Sequence, residues 1–213
     1  MRQHVNPLSR FFQLPKELPS VTELFIESNK PIHLDIGSAK GLFVLDLAEY
    51  KPDWNFLGLE IREKLVLAAN REVAKRDLKN VRFCYCNANI SLDNWLNNLP
   101  FGLLQSVSIQ FPDPWFKRKH HKRRVLQKTL LLSLAKVMIQ DAKFFIQSDV
   151  VETFQPMIDL LDRSSYFDSI DPLEKISSNK NPFPVKTERE QYVLKKGLPI
   201  YRALYSRNNN LNF

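Results

Sequence analysis

Short apolar blocks alternate with longer amphipathic blocks along most of the chain. The short blocks have the length and the β-branched or aromatic content of buried strands, whereas the longer blocks repeat their apolar residues at helical spacing. The predicted strands are 31–37, 54–61, 81–86, 103–111 and 143–149. The predicted helices are 41–51, 62–77, 91–99, 123–140 and 150–163. This alternation predicts an α/β fold with a doubly wound, mostly parallel sheet.

The pattern also predicts which residues face the core and how the chain finishes. Ser91 is the candidate N-cap of the helix at 91–99. The segment "QYVLKKGLPIYRALYS" at 191–206 predicts two strands joined at 195–199, which would add an antiparallel pair at one edge of the sheet. Two helices have the clearest apolar faces. The expected core residues are Leu65, Ala69 and Val73 in the helix at 62–77. In the helix at 123–140 they are Leu126, Leu130, Leu134, Val137 and Met138.

Length and composition favour one domain. A chain of 213 residues that is 44% apolar can bury one sizeable core, so we expect a domain at 31–213 preceded by a partly flexible N-terminal extension at 1–30. No apolar run approaches the roughly 20 residues that span a bilayer, and the first residues lack the apolar stretch of a secretory signal. We therefore expect a cytoplasmic location and no membrane partner.

Cysteine and histidine positions favour neither a disulfide nor a metal site. Cys84 and Cys86 lie two residues apart on a predicted strand, where both side chains point the same way without the geometry of a bridge. His120 and His121 are adjacent and have no third ligand nearby in the sequence, which is not a zinc pattern. We expect free core thiols and no metal.

The turn "LDIGSAKGLF" follows the first predicted strand and has the chemistry of a nucleoside site. Gly37 and Gly41 allow backbone to approach a ligand at the start of the next helix, but the full GxGxxG fingerprint of dinucleotide binding is absent. Asp35 can hold an ammonium group and Glu60 can accept from both ribose hydroxyls, which suits S-adenosylmethionine. Solvated loop carboxylates are the alternative.

The segment "QFPDPWFKRKHHKRR" at 110–124 combines a stiff turn with a cationic run. Its two prolines fix φ and can present Asp113 at the end of a strand, or the turn can simply let Trp115 fill core. The charges are expected to open the helix at 123–140, where they oppose the helix dipole unless an anion compensates. The net charge of +8 favours a polyanionic partner such as nucleic acid, although a solvated basic helix end remains open. The candidate phosphate ligands are Arg118, Lys119, Arg123 and Arg124.

The same stretch resembles the tRNA (guanine-N7-)-methyltransferase family, whose signature here is an aromatic residue, Pro-Asp-Pro-Trp and a basic run. The resemblance extends from about Ile32 to Tyr205 through "LDIGSAKG", "FLGLEI", "FPDPW", "HHKRR", "QSD" and "TERE". It implies a Rossmann-like class I fold and methyl transfer from S-adenosylmethionine to guanine N7 at position 46 of the tRNA variable loop. By motif, the cofactor residues are Asp35, Glu60, Asn87 and Asp113, with Asp113 in the catalytic position. The substrate residues are Lys117, Asp149, Thr187 and Glu190.

The chain departs from the family pattern at three positions. Ala39 replaces a usual glycine, Asn87 stands where Asp is common, and Arg189 occupies a slot of the T-x-x-E motif that is often aromatic. Glu190 can accept from guanine N1–H and the amino group, although "KTERE" could equally be an exposed, salt-bridged turn. A nucleic-acid-binding protein with a degenerate cofactor pocket, or a methyltransferase for another base or a small molecule, are the alternatives. Both a monomer and a homodimer remain open.

Overall fold

Seven strands form one sheet in the computed structural model of the chain, which describes residues 5–170 and 180–210. The strands are β1 Ile32–Ile36, β2 Asn55–Glu60, β3 Val81–Tyr85, β4 Leu104–Gln110, β5 Lys143–Ser148, β6 Phe167–Ser169 and β7 Tyr201–Arg207. Their order across the sheet is β3-β2-β1-β4-β5-β7-β6. The first five are parallel, and β7 is antiparallel to both β5 and β6. The predicted doubly wound α/β class is confirmed.

The described part of the chain contains seven α-helices, of which the first precedes β1 and the other six lie between strands. They are α1 Val21–Leu24, α2 Leu42–Tyr50, α3 Glu63–Lys75, α4 Ala88–Asn97, α5 Lys128–Val137, α6 Val151–Asp162 and α7 Glu188–Lys195. Two short 3₁₀ helices span Arg10–Gln13 and Arg118–Arg123. None of the described helices is long and apolar enough to cross a membrane.

The order of the strands creates a crevice at the carboxyl ends of β1 and β4. The chain winds from β1 outward to β2 and β3 and then returns to place β4 on the other side of β1. Helices that leave adjacent strands in opposite directions cannot fill the space above those strands, so ligands bind there in open α/β sheets.

The core lies on both faces of the sheet. One large apolar cluster includes Leu34, Val107, Ile146 and Leu134, and a second includes Val44, Phe56 and Phe83. The expected stripe of α5 is confirmed, since Leu126, Leu130, Leu134 and Met138 are buried and Val137 packs against them. On α3 the buried residues are Val66, Ala69 and Val73, so Val66 takes the core position that was assigned to Leu65.

The prediction of a strand at the start of 191–206 is wrong, because residues 188–195 form α7. The signals of a helix are present in the sequence. Thr187 accepts a hydrogen bond from the Glu190 N–H at 3.0 Å as an N-cap, and Gly197 follows the helix with a φ of +64°. The antiparallel partners of β7 are instead β5 and the short β6, which was not predicted.

Two predicted helix starts are also wrong. The basic run does not open α5, because Arg118–Arg123 is a separate 3₁₀ helix and α5 begins at Lys128. α4 begins at Ala88, where Asn87 Oδ1 accepts from the Asn89 N–H at 3.2 Å. Ser91 lies inside α4, and its hydroxyl accepts from the Lys16 N–H at 2.9 Å.

The segment expected to be an N-terminal extension packs closely on the sheet domain. Leu18, Val21, Leu24 and Phe25 are buried in the larger core cluster. Trp95 of α4 donates its indole N–H to the Pro19 carbonyl at 2.8 Å. The division at residue 30 and the partial flexibility of residues 1–30 stay predictions. Cys84 and Cys86 are buried and not bonded to each other, as expected.

Candidate active site

A cleft of about 820 Å³ opens at the carboxyl ends of the parallel strands. It brings together eight of the predicted site residues, which are Asp35, Gly37, Gly41, Glu60, Asn87, Asp113, Arg123 and Thr187. Six other predicted residues do not line it, namely Lys117, Arg118, Lys119, Arg124, Asp149 and Glu190. A volume of this size is typical of a site for a small molecule or cofactor.

Asp35 lies at the end of β1 on the floor of the cleft and is 4% exposed. Its Oδ1 accepts from the Ser108 hydroxyl at 2.5 Å and from the Gln110 amide at 3.4 Å. Burial raises the pKa of Asp35 to about 6, the two hydrogen bonds oppose this rise, and the charge of Glu60 adds to it. A cation bound beside Asp35 would therefore stabilise the ionised form of this carboxylate, which burial disfavours.

The turn after Asp35 places backbone against the cleft. Gly37 has a φ of +89° and faces open space, so the conformation is what requires glycine there. Gly41 has a φ of +77°, and a Cβ added to it would lie 2.5 Å from the Phe83 ring. Ala39 adopts a φ of +51°, which shows that the turn keeps its left-handed form without the usual glycine.

Glu60 ends β2 and is 3% exposed. Its Oε1 accepts from the Arg62 backbone N–H at 3.0 Å and from Nε at 2.9 Å, while Oε2 accepts from Arg62 Nη2 and the Ala39 N–H, each at 2.9 Å. The Glu60 hydrogen bonds, and after them the charges of Glu60 and Asp113, raise the pKa of Arg62. The carboxylate is thus fixed in place by four donors. Arg62 was not among the predicted residues, although its position two residues after Glu60 is a signal that could have identified it.

Asn87 lines the cleft at the end of β3, but its side chain is already engaged. Its amide donates to the carbonyls of Pro7 and Phe12 at 3.3 and 3.1 Å. Pro7 and Val5 also line the cleft, so the N-terminal segment forms part of its wall. A cofactor contact to Asn87 Oδ1 would compete with the helix cap that this oxygen makes to Asn89.

The segment after β4 turns sharply and presents Asp113 and Trp115 to the cleft. Phe111 has a φ of +48°, an arrangement that costs about 1–3 kcal/mol in a bulky residue. Its buried ring packs with Val193 of α7 and with Ile200, which offsets this cost. The Trp115 ring lies 5.0 Å from the Arg123 guanidinium, so Trp115 lines the cleft rather than filling core.

The basic run forms one exposed flank beside the cleft. Lys117, Arg118, Lys119 and Lys122 are exposed, and none of them forms an ion pair with a described residue. The His120 pKa is lowered, first by burial and then by the charges of Arg123, Lys119 and Lys117. The flank is therefore a concentrated, uncompensated positive surface.

Opposite this flank, α7 closes the cleft from the other side. Lys40 after β1 pairs with Glu188 at 3.1 Å across the rim. Glu190 is completely buried, and its carboxylate accepts from Arg202 at 2.7 Å and from Asn181 at 2.9 Å. Gln147 donates to Glu190 at 3.4 Å and to Gln110 at 2.7 Å, which connects α7 to Asp35. The predicted role of Glu190 in base binding requires this network to open.

Arg189 and Tyr192 are cleft residues that the prediction missed. The Nε and Nη2 groups of Arg189 both donate to Asp149 Oδ2, the first at 3.1 Å. Its guanidinium also lies 5.2 Å from the Tyr192 ring centroid. The helical spacing of 189 and 192 puts both on one face of α7. Recognising this face requires the helix at 188–195, whereas the sequence prediction placed a strand from residue 191 onward.

Within residues 5–170 and 180–210, no cluster of three or more His, Cys, Asp or Glu side chains is arranged to hold a metal ion. The polar groups of the cleft are carboxylates, guanidinium groups, amides, hydroxyls, one lysine and backbone N–H groups. This set can hold an ammonium group, hydroxyl groups and a planar base at the same time.

Comparisons with known proteins agree with this geometry. A family model described as a putative methyltransferase matches residues 29–203. A tRNA (guanine-N(7)-)-methyltransferase of Prochlorococcus marinus (strain NATL2A) is 56% identical over 211 residues, which are 99% of this chain and 99% of the relative.

Solved structures share the fold at low sequence identity. An antibiotic-related methyltransferase has a TM-score of 0.55 at 16% identity, covering 92% of this chain and 98% of its own. SMU.1697c, a putative methyltransferase from Streptococcus mutans in complex with SAH, has a TM-score of 0.50 at 8% identity, covering 84% of this chain and 89% of its own. These likenesses support the Rossmann-like class I fold. The family match and the 56% identity over nearly the whole chain show that this chain belongs to the tRNA (guanine-N(7)-)-methyltransferase family.

Proposed function

We propose that this protein transfers a methyl group from S-adenosylmethionine to N7 of guanosine in tRNA, at position 46 of the variable loop. The observation that carries the proposal is the meeting of Asp35, Glu60 and Asp113 in one cleft of a chain that belongs to this family. The exposed basic flank beside that cleft supports a nucleic-acid substrate rather than a small molecule.

The residues of the cleft fit S-adenosylmethionine. Asp35, desolvated and with its pKa raised to about 6, would hold the ammonium of the methionine part, and open space at Gly37 admits the ligand next to the backbone. Glu60, oriented by Arg62, would accept from the ribose hydroxyls, which would take the place of donors such as the Ala39 N–H that occupy its oxygens in the ligand-free fold. When bound, the cofactor supplies a methyl group on a positively charged sulfur, which is an electrophile. SAH, present in the Streptococcus mutans neighbour, is the form of this cofactor without its methyl group.

The acceptor atom needs positioning more than activation. Guanine N7 carries a lone pair and no hydrogen, so attack on a methyl group requires no proton removal from that atom. Asp113 lies at the cleft within the electrostatic influence of Arg62. Its role is to orient the base or cofactor and to offset the positive charge that develops on the purine during transfer.

The basic flank would bind the tRNA backbone. Its side chains follow directly on the turn that carries Asp113, so phosphate contacts there would hold the nucleic acid beside the reacting groups. The proposed ligands of phosphate are Arg118, Lys119, Arg123 and Arg124, and Lys117 would reach the nucleotide itself. Each neutralised phosphate releases counterions, which makes the affinity depend on salt.

One assay tests the proposal directly. The protein is incubated with S-adenosylmethionine labelled in its methyl group and with unmodified tRNA, and the tRNA is then cleaved chemically at N7-methylguanosine. Cleavage at position 46 and incorporation of label are expected. A tRNA in which guanosine 46 is replaced by adenosine serves as the matched control, and incorporation that is unchanged with this control would refute the assigned site.

A further inference from the structure

The side of the cleft formed by α7 presents the guanidinium group of Arg189, whereas the carboxylate of Glu188 on the same helix is paired with Lys40 at the rim. Arg189 lines the cleft, whereas Asp149 lies behind it with a side chain that is 7% exposed and Glu190 is completely buried. Glu190 is also paired with Arg202 at 2.7 Å. Thr187 and Glu188 also line this side, but the Thr187 hydroxyl caps α7 and Glu188 is paired with Lys40, so Arg189 is the polar group here that keeps uncommitted donors for a base.

Asp149 fixes the Arg189 side chain and leaves part of it available. Two N–H groups of the guanidinium, on Nε and Nη2, point at the same carboxylate oxygen. The other three N–H groups have no acceptor among the described residues. Tyr192 covers one face of the group at 5.2 Å. A planar donor held on one edge and covered on one face can still donate to a ligand from its remaining edge.

We propose that Arg189 determines base choice by donating to O6 of the target guanine, with Asp149 acting through it as a positioning residue. This inference rests on the proposed function. O6 is the acceptor next to N7 on the guanine ring, so a donor bound to O6 also fixes where N7 points. Adenine carries an amino donor at the corresponding position, and two donors facing each other disfavour it.

The charge of Asp149 explains why a cationic donor is tolerated near the reacting nitrogen. Methylation at N7 leaves the purine with a positive charge, which a lone guanidinium would oppose. The Asp149 carboxylate cancels the Arg189 charge at hydrogen-bond distance. The pair therefore offers N–H donors while adding little net charge to the cleft. The second oxygen of Asp149 is buried without a hydrogen-bond partner among the described residues. Arg189 is therefore the main group that offsets the charge of the Asp149 carboxylate.

The test combines a protein variant with a change in the base. Wild type and Arg189→Met are compared in single-turnover methylation of synthetic tRNA that carries guanosine, inosine or 2-aminopurine riboside at the target position. 2-Aminopurine keeps N7 but lacks O6, and inosine keeps O6 but lacks the 2-amino group. Differences in the intrinsic reactivity of N7 are common to both proteins and cancel when their rate ratios are compared.

The guanosine to 2-aminopurine rate ratio is expected to be at least about tenfold larger for wild type than for Arg189→Met, while the guanosine to inosine ratio stays within about twofold. Arg189→Lys should restore part of the lost ratio. A ratio that is the same in wild type and Arg189→Met would overturn the inference. If wild type does not methylate guanosine-containing tRNA at all, the proposed function itself fails, so the two failures are distinguishable.

A further pair of variants tests how Asp149 acts. If it works through Arg189, Asp149→Asn combined with Arg189→Met should be no more than about twofold slower on guanosine than Arg189→Met alone. The double variant also removes the buried charge that Arg189→Met leaves uncompensated, which guards against loss of folding. Slowing by the product of the two single effects would mean that Asp149 contacts the base itself and would overturn its positioning role.

Discussion

Lowering the pH from 7.0 to 5.0 should weaken cofactor binding about tenfold through Asp35. Burial raises the pKa of this carboxyl to about 6, and only its ionised form attracts the ammonium group of the ligand. With a pKa of about 6, the ionised fraction falls from roughly 0.9 at pH 7.0 to roughly 0.09 at pH 5.0. His33 shares the Ser108 hydroxyl but does not titrate in this range, because burial lowers its pKa to about 3.

Calorimetric titration with S-adenosylhomocysteine measures this effect without any reaction taking place. The ammonium group of the ligand stays charged between pH 5.0 and 7.0, so the change in affinity reports on the protein. Asp35→Asn should bind weakly at both pH values and lose the pH dependence. A dissociation constant in wild type that varies less than about twofold over this range would refute the role of Asp35.

The same shift has the opposite consequence for the stability of the ligand-free fold. The folded pKa of about 6 lies above the unfolded value of 3.8, so folding binds a proton between these two limits. The contribution of Asp35 to the free energy of unfolding is present below about pH 4 and is lost as the pH rises through about 6. Two pKa units correspond to about 3 kcal/mol. Asp35→Asn should therefore be more stable than wild type to urea at pH 7.0, in the absence of cofactor.

Three other substitutions probe the remaining parts of the site. Glu60→Gln should weaken S-adenosylhomocysteine binding at least about tenfold in calorimetry, because it removes a charged acceptor that Arg62 orients. Asp113→Ala should slow single-turnover methyl transfer at least about 100-fold, or roughly 2.7 kcal/mol, while tRNA binding measured by filter retention stays intact. Replacing four cations by Gln should weaken tRNA binding and flatten the dependence of log affinity on log salt, because fewer counterions are released. These four are Arg118, Lys119, Arg123 and Arg124.

Each of these predictions has an outcome that contradicts it. Unchanged cofactor affinity in folded Glu60→Gln would remove that carboxylate from the site. A rate within about tenfold of wild type in Asp113→Ala would mean that the residue orients nothing that reacts. A salt slope equal to that of wild type in the fourfold variant, with cofactor binding also unchanged, would identify the basic flank as an ordinary solvated surface.

The parallel half of the sheet and its strand-end acids could be predicted from the sequence. Short buried strands alternate with amphipathic helices there. Because the strands are parallel, residues at their carboxyl ends, such as Asp35 and Glu60, lie at the same edge of the sheet regardless of loop conformation. The same rule located Asp113 at the end of β4. These inferences depend on pattern and topology, which local sequence determines well.

The side formed by α7 could not be predicted in the same way. The apolar residues of "QYVLK" form a short continuous run, which occurs in buried strands as well as in helices. The signals that decide for a helix are the cap at Thr187 and the stop at Gly197, which lie outside this run. The partner of Glu190 is Arg202, on a strand that begins after α7, and no local signal couples them. Asn87 was assigned by its position after β3, yet its partner Pro7 lies 80 residues away in the chain. Long-range pairing of polar side chains depends on the assembled fold.

The contact of the Pro7 and Phe12 carbonyls with Asn87 has a consequence for the order in which the fold can form. Both carbonyls are synthesised before their donor Asn87, which follows them by 80 and 75 residues. The ribosome adds about 5–20 residues per second, so this segment waits several seconds for its docking surface. This segment can therefore take its place beside the cleft only after the chain through Asn87 has been made.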